Sequence, residues 1–218
     1  MSTVKNVVIC AAGLGSRLEL NMPKCLVEIG GRRLIEYQLD LLRDFENIHI
    51  VVGFMEEEVM KCVKRIRKDV VFVRNPDYRT TSNSHSLNLG ARGFSEGYLT
   101  LDGDILIEED EFKRFMAKAN PRETLIGITE SKTEDAVYVD FDPATGVIRD
   151  FRRSPKTAYE WTGIAVIAGI EIRPEVGYVF KNLERYLPLK AARVHCFEID
   201  TPEDLNLALQ HFKPAGGG

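Results

Sequence analysis

Across residues 4–118, short apolar runs alternate with amphipathic segments, and this order restricts the fold more than any other feature of the chain. Residues 4–10 read as a buried strand, and 32–45 as a helix carrying Leu34, Leu41, Leu42 and Phe45 on one side. A second strand over 48–53 precedes a helix over 56–68, whose Val59, Val63 and Ile66 face inward. That helix begins acidic and ends basic, as the helix dipole prefers. A strand over 70–73, a helix over 82–92, a strand over 98–101 and a helix over 109–118 continue the alternation. Strands separated by helices predict a doubly wound sheet, mainly parallel, with helices on both faces. After residue 122 the rhythm changes: 125–129 and 136–142 alternate in strand fashion, 142–146 is a turn, and 147–151 returns. The expected architecture is therefore α/β with a mixed sheet, hairpin strands being added in the second half. Thr201-Pro202-Glu203-Asp204 marks a helix start, with Thr as N-cap, Pro next and an acid at the third position.

A length of 218 residues suits one domain, expected over 1–213, with 214–218 a flexible tail. At 44% hydrophobic and 28% charged, the composition excludes a disordered or collagen-like chain. No run approaches the roughly 18 apolar residues of a membrane span, and the first residues lack a basic-then-apolar signal, so neither membrane insertion nor secretion is expected. Four scattered cysteines without a CxxC pair argue against a zinc site or disulfide framework and predict a cytoplasmic setting. A net charge of −4 argues against nucleic acid as a partner; an anionic ligand needs a local basic cluster.

A doubly wound sheet takes its ligand at the carboxyl ends of its strands. The first strand runs into Ala11-Ala12-Gly13-Leu14-Gly15-Ser16-Arg17, where two glycines let backbone amides approach a phosphate and Arg17 supplies charge. A Walker loop, GxxxxGK[ST], is not matched, and a dinucleotide GxGxxG fails at Leu18. The segment, followed by Pro23-Lys24-Cys25-Leu26-Val27 and Gly30-Gly31, resembles the N-terminal signature of nucleotidyltransferases that activate sugar phosphates and related phosphates. The resemblance implies a Rossmann-like (GT-A-like) nucleotidyltransferase fold, with a nucleotide-binding core over about 1–120 and an acceptor-binding elaboration over about 121–195. It also implies that Arg17 holds the departing β/γ-phosphates and Lys24 the α-phosphate, with Ala11 to Ser16 lining the nucleotide.

Asp102-Gly103-Asp104 closes the fourth strand with two carboxylates that can approach one hard cation; the same triplet also reads as a turn. By resemblance Asp104 is a Mg²⁺ ligand and Asp102 lies at the nucleotide. Glu198-Ile199-Asp200 resembles the closing motif, making Asp200 the second ligand, although an acid there also complements the following helix N-terminus. Asn75, Tyr78-Arg79 and Ser82-Asn83-Ser84 resemble bacterial phosphocholine and phosphonate cytidylyltransferases; Ser82, Asn83 and Ser84 could meet a pyrimidine edge or a phosphate, or simply cap a helix. In the second half, Tyr138, Asp140, Tyr159, Glu160 and Trp161 are candidates to enclose an ammonium group, the alternative being plain packing. Lys156, with Arg153 as second choice, is the candidate for the acceptor phosphate, the alternative being a solvated basic loop. The function implied is CMP transfer from CTP to a small phosphomonoester or phosphonate with pyrophosphate release. The alternative is a sugar- or inositol-phosphate nucleotidyltransferase using CTP, UTP or dTTP; a homodimer is left open.

Overall fold

A computed structural model describes residues 3–18, 20–132 and 136–212; the Ser16 side chain and the expected tail at 214–218 lie outside the described residues. Strand β1 (Asn6–Ala11) is followed by the two-residue strands β2 (Glu28–Ile29) and β3 (Arg32–Arg33), which pair antiparallel before helix α1 (Leu34–Leu41). The helix expected over 32–45 is therefore shorter at both ends. Arg32 and Arg33 are taken by the ladder, and Leu42 leaves helical geometry with its N–H on Leu39.

The chain continues through β4 (Asn47–Val52), α2 (Glu56–Ile66), β5 (Val70–Arg74), α3 (Asn83–Ala91), β6 (Tyr98–Asp102), β7 (Ile105–Ile107) and α4 (Glu109–Met116). The second half holds β8 (Leu125–Glu130), β9 (Tyr138–Asp142), β10 (Val147–Arg152), β11 (Tyr159–Ile167), α5 (Val179–Leu183), β12 (Leu189–Arg193), β13 (Cys196–Glu198) and α6 (Pro202–His211). Nine strands form one sheet in the order β5-β4-β1-β6-β11-β8-β12-β10-β9.

The sheet is parallel across β5-β4-β1-β6 and again between β8 and β12, but β11 runs antiparallel to β6, β8 and β9, and β10 to β9 and β12. The expectation of a mainly parallel sheet thus holds for the first half only. Short connections such as the 142–146 turn reverse the chain, whereas a parallel crossover needs a dozen residues or more.

Strand alternation sends Val7 and Ile9 to one face, where Ile35 of α1, Val63 of α2 and Phe115 of α4 cover them. Val8 faces the opposite side with Leu87 of α3 and Phe180 of α5. Fully buried side chains of this kind contribute about 1.5–3 kcal/mol each. Helices thus cover both faces, as the alternation in the sequence predicts. Parallel register sets Cys10 beside Asp102, and β13 pairs with β7 so that Glu198 lies opposite Ile105. Three separate stretches, 11–17, 102–104 and 198–200, therefore meet at one end of the sheet.

Candidate active site

The chain leaves β1 through a loop in which Gly15 has φ +62, and a Cβ there would sit 2.9 Å from Lys24 Cγ. Glycine at this point lets the lysine stem cross the loop. Lys24 opens a short 3-10 turn anchored by the buried Cys25 and Leu26. Its ammonium donates to Asp104 Oδ2 at 2.7 Å and to Asp200 Oδ1, while Arg17 Nη1 pairs with Asp200 Oδ2 at 2.7 Å. Burial disfavours the Lys24 charge, but Asp104 and Asp200 together outweigh it and raise its pKa to about 12.

Two further acids complete the cluster. Asp102 is pushed up by burial first and by Asp104 second. Glu198 opens onto the cavity yet sits deep among protein atoms; that desolvation raises it, and Asp104, Asp102 and Asp200 add to the shift. Above Asp102, strand β11 passes so closely that a Cβ on Gly163 (φ +76) would come within 2.7 Å of Asp102 Oδ2. Behind Asp200, α6 starts with the expected capping box: Thr201 Oγ1 accepts from Asp204 N at 3.2 Å, and Asp204 Oδ2 accepts from Thr201 N at 2.9 Å. Asp204 also accepts from Asp200 N at 3.3 Å, so the cap holds the backbone of Asp200.

These groups line a cavity of about 420 Å³ that also includes Ala11 to Gly15 and, in its second half, Val137, Arg153, Trp161, Tyr178 and Phe180. Ser82 and Asn83 at the start of α3 line it too. Several of their polar atoms are engaged with the chain itself: the hydroxyls of Ser82 and Ser84 both donate to Gly177 O, and Asn83 Oδ1 accepts from Val179 N at 3.2 Å. Ser84 is fully buried and does not line the cavity. The expected helix cap at Ser82 makes no side-chain capping bond. These bonds tie the 174–179 segment to α3.

The acceptor candidates divide. Trp161 and Arg153 line the cavity; Tyr138, Asp140, Lys156, Tyr159 and Glu160 do not. Tyr138 is buried in the interior, and Asp140, two residues further along β9, is exposed. Tyr159 stands two residues before Trp161 on β11, yet its ring lies edge-on to Phe141 at 5.3 Å and its hydroxyl accepts from Arg193. Lys156 is exposed on the β10–β11 loop, and the buried Glu160 accepts from Lys132 N at 3.1 Å.

Tyr178 and Phe180 take the vacated places. Their rings stack at 5.8 Å, and the Arg153 guanidinium lies 5.6 Å from each centroid. Phe151 packs edge-on to Trp161 at 6.1 Å and supports the wall from behind. The two missed aromatics stand two residues apart just after Gly177, a signal that carries no distinguishing motif. Tyr78, Thr162 and Glu198 are further lining residues to which sequence alone attached no role.

Four acids face two cations here, an excess that suits a divalent ion when all are charged. Among the described residues no group of three His, Cys, Asp or Glu could by itself hold a metal ion. Magnesium is commonly held by one or two carboxylates, with water and substrate phosphates completing its shell, and the oxygen donors of Asp104 and Asp200 fit that pattern.

A glycine loop at the carboxyl end of β1, two cations and clustered carboxylates line one cavity of an α/β fold, an arrangement suited to a polyphosphate. Residues 7–171 match the MobA-like NTP transferase domain, and the chain belongs to that family. It is 31% identical over 117 residues to a choline-phosphate cytidylyltransferase of Streptococcus pneumoniae, covering 51% of this chain and 50% of that protein. It is 28% identical over 149 residues to a CMP-5'-(3-aminopropyl)phosphonate synthase of Streptomyces rubellomurinus, covering 62% of this chain and 24% of that one. The matches thus span about half and a quarter of those relatives. The structure of the inositol-1-phosphate CTP transferase from T. maritima superimposes with a TM-score of 0.78 at 17% identity, covering 100% of this chain and 99% of that one, which establishes the fold alone. No helix among the described residues is long and apolar enough to cross a membrane.

Proposed function

We propose that the protein transfers CMP from CTP to a small phosphomonoester or phosphonate whose other end carries an ammonium group. The observation that carries this reading is the two-part wall of a single cavity. Charged groups stand at one end, and Trp161, Tyr178 and Phe180 stand at the other with a cation already lying over two of the rings. Aromatic faces attract a desolvated cation by about 0.5–2 kcal/mol each.

In this reading an oxygen of the acceptor phosphate forms the new bond to the α-phosphorus. The bond from that phosphorus to the β-bridging oxygen breaks, and pyrophosphate leaves with the electron pair. The acceptor oxygen is already ionised, so no base is needed. Lys24 neutralises the α-phosphate, Arg17 the leaving β/γ-phosphates, and Ala11 to Gly15 offer backbone amides along the chain of phosphates. Such steps are accelerated by positioning and charge neutralisation. Asp104 and Asp200 would hold Mg²⁺, which supplies charge neutralisation at the phosphate oxygens when bound. Lys24 now lies between those two carboxylates, so binding of the nucleotide redistributes its contacts from carboxylate to phosphate. Arg153, which lines the cavity beside Tyr178 and Phe180, is suited to the acceptor phosphate.

Pyrophosphate release, measured with Mg²⁺ and each of CTP, UTP, ATP, GTP and dTTP, tests this against phosphocholine, 2-aminoethylphosphonate, inositol phosphate and hexose 1-phosphates. Turnover with CTP and an ammonium-bearing acceptor is expected. Turnover confined to UTP or dTTP with a hexose 1-phosphate, or to inositol phosphate, would replace the substrate assignment with the sugar or inositol alternative.

A further inference from the structure

The turn that presents Asp104 is held from three directions. Gly103 N donates to Cys10 O of β1 at 2.9 Å, and Ile199 N donates to Asp104 O at 2.8 Å from the far side. The third hold is a side chain. Gln38, on α1 and only 2% exposed, donates from its single Nε2 to Asp102 O and to Ile105 O, both at 2.9 Å. The two carbonyls bracket Gly103 and Asp104, so one carboxamide fixes both ends of the turn. Among the described residues Gln38 Oε1 has no hydrogen-bond partner. A buried amide with an orphaned acceptor is a poor device for stability, because the unmatched oxygen costs about as much as one good bond returns. Burying a glutamine in this way makes sense where its two donors serve a geometric purpose.

We infer that Gln38 is a positioning residue for the metal-binding carboxylate: its amide sets the direction in which Asp104 leaves the β6–β7 turn. This rests on the reading of Asp104 as a Mg²⁺ ligand. Groups behind a metal ligand typically change metal affinity or activity by about 10–100-fold when removed. Gln38→Met keeps the volume and removes both donors together with the orphaned acceptor. It also takes the donor away from the Asp102 and Ile105 carbonyls, so some loss of stability accompanies the effect on the metal, and the two are read separately.

The test is the affinity of the protein for CTP by calorimetry, without acceptor, in the presence and absence of Mg²⁺, together with the melting temperature. For the wild-type chain Mg²⁺ tightens CTP binding. In Gln38→Met that tightening is expected to shrink roughly tenfold, with metal-free CTP affinity within about twofold of wild type and a lowered melting temperature that stays above the temperature of the titration. Gln38→Met that retains the full Mg²⁺ effect, while Asp104→Asn abolishes it, would show that Gln38 serves packing alone and overturn the inference. Asp104→Asn that retains the effect would instead remove the metal assignment on which it rests. Should Gln38→Met not fold, Gln38→Glu, which keeps the shape but replaces the donor with an oxygen, is read in the same way. A loss of the Mg²⁺ effect supports the inference, and its retention overturns it.

Discussion

At one end of the cavity the side chains are charged and contributed by four separated segments. Arg17, Lys24, Asp104 and Asp200 form a continuous chain of ion pairs, with Lys24 only 15% exposed at its centre. Elsewhere the wall is aromatic: Tyr178 and Phe180 stack on each other beside Arg153, and Phe151 packs against both Phe180 and Trp161. The charged end suits the part of the reaction common to any triphosphate. The aromatic end suits a choice among acceptors, since dispersion and cation–π contacts read shape and charge type. The difference teaches where to expect losses of rate and where to expect losses of selectivity.

The largest expected effect is at the charged end. Lys24→Ala should cut turnover by roughly 10²–10³-fold, the usual cost of one donor aimed at developing charge. CTP binding, followed by calorimetry, should persist; unchanged pyrophosphate release would break the assignment of Lys24. Gly163→Ala joins the two halves, because the added methyl meets Asp102 in a backbone region that L-residues avoid. A stability loss of about 1–3 kcal/mol is expected by denaturant titration, and an unaltered midpoint would contradict the close approach of β11 to β6.

Smaller effects sharpen the aromatic side. Trp161→Ala or Tyr178→Ala should raise the acceptor KM by about 3–30-fold, the equivalent of about 0.5–2 kcal/mol, with the CTP KM little changed. If the CTP KM rises instead, the aromatic wall belongs to the nucleotide. Ser84→Ala should cost about 1 kcal/mol of stability through the lost bond to Gly177 and leave CTP affinity intact, since the hydroxyl is buried away from the cavity. Smallest of all, Tyr159→Phe and Lys156→Ala should leave both KM values within about twofold, a near-neutral result expected of changes away from any binding site.

The two ends were not equally legible in the sequence. Arg17, Lys24, Asp102, Asp104 and Asp200 are all found at the cavity: Asp102 ends β6, Asp104 and Asp200 stand next to the β7–β13 pair, and Arg17 and Lys24 lie on the loop that leaves β1. Tyr138, Asp140 and Tyr159 were chosen for residue type on strands whose surroundings could not be read: Tyr138 is buried, Asp140 is exposed, and Tyr159, although two residues from Trp161, is held by Phe141 and Arg193. Ser82, Asn83 and Ser84 lie where expected at the head of α3, yet their polar atoms bind a segment some ninety residues downstream. No local pattern announces a partner at that distance. The reversal of β11 was hidden for a related reason: an apolar strand has the same composition whichever way it runs.

The sequence by itself determined the alternation of strands and helices, the glycine loop after β1, the capping box of α6 and the clustering of charge at strand ends. These depend on interactions within a few residues, namely backbone conformation, capping bonds and side-chain periodicity. Only the tertiary structure decided that β11 enters antiparallel beside β6, that Gln38 reaches across to the Asp102–Ile105 turn, and that Tyr178 and Phe180 rather than Tyr138 and Tyr159 face the cavity. Those outcomes depend on which surfaces pack together. That choice is made by the burial of whole faces, not by any residue's own preference.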